Sequence, residues 1–179
     1  ILVAHVESGL RSFDRTMPEE INRIVTDAVS DILFTASKND ETNLFNEGIP
    51  KNKIFFVGNV MIDSLHKIKN VADKSRILKK LGIKEKNYVV LTIHRPSNVD
   101  DKEKLENILN ALEIIQKDIS IVFPVHPRTM KMIKKFRMLS FLKSFKNLII
   151  TEPLGYLDFA RLMASSNLIM TDSGGIQEE

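Results

Sequence analysis

The sequence predicts an α/β protein built from two doubly wound, Rossmann-like halves. Three observations carry that expectation. Short apolar runs of strand length alternate with amphipathic stretches of helical period along all 179 residues, the pattern of a parallel sheet covered on both faces. The rhythm breaks once, at Gly58-Asn59, and then restarts. Polar residues capable of chemistry follow directly after the apolar runs, which is where open parallel sheets bind ligands.

Residues 1–4 (Ile-Leu-Val-Ala) are expected as the first strand, with a loop over 5–17. A helix is expected over 18–29: Pro18 suits a first turn, Glu19 and Glu20 favour the positive end of the dipole, and Ile21, Ile24, Val25 and Ala28 share a face. A strand over 32–36, a helix over 39–47 stopped by Gly48, and a strand over 54–57 complete the first half. After the hinge near Gly58 come helical spacing through Met61, Ile62, Leu65 and Ile68, and a lysine-rich helix ending at Gly82. Strands are then expected over 88–93, 119–125, 148–151 and 168–171. The helices between them cover 102–116, capped by Asp100 or Asp101 and apolar at Leu105, Ile108, Leu109, Leu112 and Ile115, then most of 129–142, and 157–165. The expected division is 1–58 and 59–179. Both ends read as truncated, with an unpaired strand at Ile1 and a helix cut short at 176–179.

Composition narrows the function classes. Lys and Arg number 26 against 23 Asp and Glu, a net charge of +3, which suits a small dianionic ligand. Lys131, Lys134, Lys135 and Arg137 alternate with Met132, Ile133 and Phe136 at near-helical spacing and read as a solvated helix face. No basic stretch is interleaved with aromatics, so no nucleic-acid partner is expected. No apolar run approaches the roughly 18 residues of a membrane span, and none is expected. The chain has no cysteine, which excludes disulfides, thiolate metal sites and cysteine nucleophiles and fits a cytoplasmic protein. His, Asp and Glu show no close ligand spacing, so no metal is expected.

The candidate site lies in the segments after the strands. His5, His94 and His126 are expected directly at strand ends, followed by Arg95 in one case and Pro127-Arg128 in another. Glu7 and Glu19 are acid–base candidates. Partial desolvation behind a buried strand would favour the protonated form of Glu7, whereas Glu19 read alone is an ordinary acid at a helix start. His94 beside Arg95 can hydrogen-bond a phosphate or carry a proton. Ser173-Gly174-Gly175 leads into a helix start expected at 176–179, where unpaired N–H groups suit phosphate oxygens. It lacks the Lys-Ser/Thr of a Walker loop and the spacing of a dinucleotide fingerprint, and alone it reads as a tight turn. Glu178 and Glu179 can accept hydrogen bonds from ribose hydroxyls or simply complement the helix dipole.

Taken in order, His5-Val6-Glu7-Ser8-Gly9-Leu10-Arg11-Ser12, Met17-Pro18-Glu19-Glu20-Ile21-Asn22-Arg23, Val57-Gly58-Asn59, Thr92-Ile93-His94-Arg95, Pro124-Val125-His126-Pro127, Glu152-Pro153-Leu154-Gly155-Tyr156-Leu157 and Thr171-Asp172-Ser173-Gly174-Gly175-Ile176-Gln177-Glu178-Glu179 resemble the non-hydrolysing UDP-N-acetylglucosamine 2-epimerases across the whole chain. The resemblance implies a glycosyltransferase-B-like enzyme with UDP bound by residues 59–179. It would remove the C2 proton, expel UDP to leave a 2-acetamidoglucal, and re-add UDP with protonation on the other face, without a nicotinamide cofactor. It implies acid–base roles for Glu7 and Glu19, and places His94 at UDP and its phosphates. Ser173, Gly174 and Gly175 become the diphosphate loop, Glu179 the ribose ligand, and Phe159 and the Leu154 backbone the uracil neighbours. Arg95 and His126 align with the site of a second, activating UDP-N-acetylglucosamine. A homodimer serving surface polysaccharide synthesis is also implied.

Two positions depart from the family's usual pattern. Ser97 stands where His-Arg-x-Glu-Asn has glutamate, which removes a carboxylate beside the activator region, and Ser8 stands where alanine is usual. Residues the family needs would also precede Ile1 and follow Glu179, so the isolated chain is expected to be inactive. A glycosyltransferase or UDP-sugar hydrolase of the same fold is the competing enzyme reading, distinguished by its products. A non-catalytic UDP-sugar-binding protein is the third, distinguished by binding without turnover.

Overall fold

The computed structural model describes residues 1–178, and the chain divides into two compact units, Ile1–Ser64 and Leu65–Glu179. In the first unit, β1 (Ala4–Ser8), β2 (Ile32–Thr35) and β3 (Ile54–Phe56) form a parallel sheet in the order β1-β2-β3, with α1 (Pro18–Val29) and α2 (Lys38–Asn46) as the connections. Ser37 and Asp40 form a reciprocal capping box that starts α2. Helix α3 (Val60–Ala72) carries the unit boundary.

The second unit contains α4 (Ile77–Leu81), β4 (Tyr88–Thr92), α5 (Pro96–Val99), α6 (Lys102–Ile115), β5 (Ser120–Pro124), α7 (Pro127–Lys135), α8 (Leu139–Lys143), β6 (Leu148–Thr151), α9 (Tyr156–Ala164), β7 (Leu168–Thr171) and α10 (Gly174–Glu178). All of its strand pairs are parallel, and the order is β6-β5-β4-β7. The two-residue period of a strand sorts the core. Leu91, Ile121 and Phe123 face Leu105, Leu109 and Leu112 of α6 and Met132 and Ile133 of α7. Tyr88, Val90 and Val122 face Leu162 of α9. Strand β4 is buried on both faces, as its unbroken apolar run requires. Lys131, Lys134, Lys135 and Arg137 are exposed on and just after α7, as the spacing predicts.

Several expectations are corrected. Strand β1 begins where the expected strand ends: Ala4 pairs with Ile32, while Ile1 and Leu2 are exposed. Apolar composition marked the segment, but the ladder to β2 sets its register. His5 and Glu7 therefore lie within β1 rather than in a loop after it. Helix α1 has the expected span, but its most buried residues are Glu20 and Asp27, while Val25 is exposed. The helix expected over 129–142 is two, because Arg137 adopts a left-handed φ of 62° and Met138 N–H closes back on the Ile133 carbonyl. Helix α5 had no counterpart in the sequence reading. Helix α10 starts at Gly174, so both glycines belong to its first turn.

Candidate functional site

The order β6-β5-β4-β7 reverses direction at β4 and β7, so the crevice of this sheet opens beyond the carboxyl ends of those two strands. His94-Arg95 follows β4 and Asp172-Ser173-Gly174-Gly175 follows β7. The two segments are joined by Asp172. Its carboxylate accepts from the backbone N–H of His94 at 3.0 Å and of Arg95 at 2.9 Å, and from Asn98 Nδ2 at 3.0 Å. His94 Nδ1 lies 3.0 Å from the same group, whose side chain is 10% exposed. Arg95 Nε donates back to the Asp172 carbonyl at 2.6 Å. With Nδ1 turned to that carboxylate, Nε2 is the ring nitrogen left for a ligand. Lower in the crevice, the Thr92 and Thr171 hydroxyls meet at 2.7 Å, and Ser173 N–H donates to Thr171 Oγ1 at 3.0 Å.

Burial alone would push the Asp172 carboxyl up; the hydrogen bonds from Arg95, Asn98 and His94 outweigh it and hold the group below the usual carboxylate range. A carboxyl depressed by folding adds stability above its unfolded pKa and loses it as pH falls through the folded value. Asp172→Asn is accordingly expected to cost about 2–3 kcal/mol at pH 7, with the gap from the parent closing below roughly pH 4. Urea midpoints measured across that range check it.

A cleft of about 190 Å³ beside this clamp is lined by Thr92, His94, His126, Leu154, Phe159 and Ile176 among others. It unites His94, His126, Leu154 and Phe159, which the sequence had nominated from separate segments. The His94 and His126 rings stand 5.6 Å apart. His126 also caps α7, its Nδ1 accepting from Arg128 N–H at 3.2 Å. A Cβ at Gly174 would meet only Arg95 Nη2, at an ordinary 3.7 Å, so packing within the protein does not demand glycine there. Glu179 lies outside the described residues.

In the first unit, Glu7 sits in a β-bulge. Val6 pairs with Phe34 and Ser8 with Thr35, leaving Glu7 without a partner on β2 and with φ at 69°. That conformation is uncommon for a non-glycine residue and costs on the order of 1–3 kcal/mol. Bulges of this kind re-aim side chains beside active sites. Glu7 is exposed, not partly desolvated as expected, and Glu19 is exposed on the first turn of α1. Its neighbour Glu20 is 1% exposed and accepts the N–H groups of Ser12 and Phe13 at 2.9 and 3.0 Å. Burial would push Glu20 up, but those N–H groups hold it below the usual range. Arg11 reaches Glu47 at 2.6 Å and Asp27 at 2.7 Å. Hydrogen bonding to Glu47, and next to Asp27, outweighs burial and raises the Arg11 pKa.

Ser8 is fully buried, and its hydroxyl has no partner among the described residues. Ser8→Ala is expected to stabilise the protein by about 1 kcal/mol, since it removes an unsatisfied buried group. The urea midpoint should rise with no change in slope.

The sequence alone assigns no role to Asp172, Asn98 or Asp27, and to Glu20 only that of a helix-start acid. Asp172 stood inside a quoted motif. Glu20 and Asp27 are seven residues apart, two helical turns, a spacing that puts both on one face of α1 without saying which way that face turns.

An open parallel sheet with a histidine, an arginine and two glycines clustered at its switch point defines the class of doubly wound α/β proteins. The family model for UDP-N-acetylglucosamine 2-epimerase matches residues 1–179, and the chain belongs to that family. It is 48% identical over 182 residues to the UDP-N-acetylglucosamine 2-epimerase of Methanocaldococcus jannaschii, covering 99% of this chain and 50% of the relative. It is 40% identical to the UDP-2,3-diacetamido-2,3-dideoxy-D-glucuronate 2-epimerase of Pseudomonas aeruginosa, covering 99% and 48%. The crystal structure of the Methanocaldococcus jannaschii UDP-GlcNAc 2-epimerase in complex with UDP-GlcNAc and UDP superposes with a TM-score of 0.89 at 47% identity, covering 99% of this chain and 50% of that one. The chain spans about half the length of the curated relatives it matches. Its parallel α/β architecture agrees with the fold the sequence predicts.

Proposed function

We propose that the protein carrying this chain interconverts UDP-N-acetylglucosamine and UDP-N-acetylmannosamine. A carboxylate takes the C2 proton, the C–H electrons form the C1–C2 double bond, and UDP departs with the electrons of the C1–O bond. UDP then re-adds as C2 is protonated on the opposite face. The sequence is redox-neutral and needs no nicotinamide. Glu7 and Glu19 are the proposed proton carriers. His94 is assigned to the phosphates through Nε2, Ser173, Gly174 and Gly175 to the diphosphate, Leu154 and Phe159 to the uracil, and Glu179 to the ribose. Preorganised donors at a departing anion supply the largest part of such catalysis. Arg95 and His126 are assigned to a second, activating nucleotide sugar.

The observation that carries this reading is the Asp172 clamp, which gathers the His94 and Ser173 segments at the switch point. The absence of any packing demand for glycine at 174 supports ligand approach there. We further propose a domain division at Gly58, a cytoplasmic homodimer, and supply of a sugar donor for surface polysaccharide. Among the described residues no helix is long and apolar enough to cross a membrane.

The test is the full-length protein with UDP-N-acetylglucosamine in deuterated water, followed by proton NMR. Epimer carrying deuterium at C2 is the expected result. Free UDP without epimer indicates a hydrolase. Binding without turnover, or turnover only of a diacetamido uronate, refutes the substrate assignment.

A further inference from the structure

In its last turn helix α1 points inward not an apolar residue but Asp27, whose side chain is 1% exposed. One carboxylate oxygen lies 2.5 Å from His5 Nδ1. The other accepts from Gly9 N–H at 3.1 Å and lies 2.7 Å from the Arg11 guanidinium. His5 and Gly9 stand two residues before and two residues after Glu7. The β-ladder itself grips Val6 and Ser8 but not Glu7. A left-handed non-glycine residue relaxes unless its surroundings over-determine it, and here one carboxylate bridges both flanks of the bulge. Charge balance alone does not account for Asp27, since Arg11 already has a second carboxylate partner in Glu47.

We infer that Asp27 is a positioning residue: it fixes the bulge that aims the Glu7 carboxylate, through His5 on one side and Gly9 on the other. The inference deepens the proposed epimerase reading and rests on it for the role of Glu7. A misplacement of about 1 Å in a reacting group lowers rates about a hundredfold, so a loosened bulge should act on turnover more than on binding.

The test is a double-mutant cycle in the full-length protein. Asp27→Asn is expected to lower kcat for C2 exchange by roughly 10- to 100-fold, with KM for UDP-N-acetylglucosamine held within about 2-fold. In a Glu7→Gln background the same substitution should cost less than about 2-fold further, because residues acting as one unit are non-additive. Equal losses in both backgrounds mean that Asp27 only supports folding, and overturn the inference. A crystal structure of Asp27→Asn gives a readout independent of activity. Glu7 leaving the left-handed region supports the inference, and Glu7 unmoved overturns it. Should the parent protein exchange no C2 proton, the epimerase reading fails, while the bulge geometry still decides whether Asp27 holds Glu7.

Discussion

Glu7→Gln is expected to lower kcat by roughly 10²- to 10⁴-fold, the range lost when a positioned general acid or base is removed. KM for UDP-N-acetylglucosamine should move little, because the amide fills the same space and the contact removed belongs to the transition state. The expectation comes from geometry. Glu7 is held in a left-handed bulge, a conformation that costs free energy and contributes nothing visible to packing, since the side chain is exposed. Glu19→Gln should reduce turnover comparably but differ in isotope pattern. The variant lacking the carboxylate on the gluco face should take no deuterium into UDP-N-acetylglucosamine. The variant lacking the one on the manno face should exchange substrate deuterium yet form no epimer. Proton NMR in deuterated water separates the two and assigns each residue to a face. Unchanged kcat for Glu7→Gln would leave the bulge a structural feature alone.

Much of this arrangement was legible in the residues, and the parts that were not have physical causes. Strands β6 and β7 and helix α1 fall on their expected spans because each is an apolar run or an amphipathic stretch with clear punctuation. Ser173 and His94 were nominated from their places after strands, and the structure brings their segments together. What brings them together was not legible: Asp172 works by accepting from groups 74 to 78 residues away, and no local pattern encodes such a partner. The β1 offset has the same origin. Ile1-Leu2-Val3-Ala4 has strand composition, but Asp31 N–H donates to the Val3 carbonyl at 2.8 Å and the ladder with β2 starts at Ala4. Pairing, a tertiary property, moved His5 and Glu7 into the strand. The inward turn of Glu20 and Asp27 ran against hydrophobic periodicity because these carboxylates serve N–H groups of the loop rather than the apolar core.

Gly9→Ala should be the most destabilising single methyl in the first unit, at roughly 2–5 kcal/mol. Two costs add. Gly9 has φ at 80°, where an L side chain costs roughly 1–2 kcal/mol. A Cβ there would also overlap the Asp40 backbone carbonyl, coming within 2.9 Å of its carbon, and overpacking against an immovable group adds about 1–3 kcal/mol. Asp40 cannot retreat cheaply, because it is half of the capping box that starts α2. Nor can Gly9, whose N–H and carbonyl are committed to Asp27 and to Asn43 Nδ2 at 3.1 and 2.9 Å. Gly48→Ala is the matched control. Its φ of 85° carries the same backbone cost, but no atom lies within 4 Å of the added carbon, so it should lose only about 1–2 kcal/mol. Urea unfolding of both variants measures the difference, which is the steric cost of the Gly9–Asp40 approach. Equal losses would mean that α2 shifts freely, and that the end of β1, where Glu7 sits, is not pinned against it.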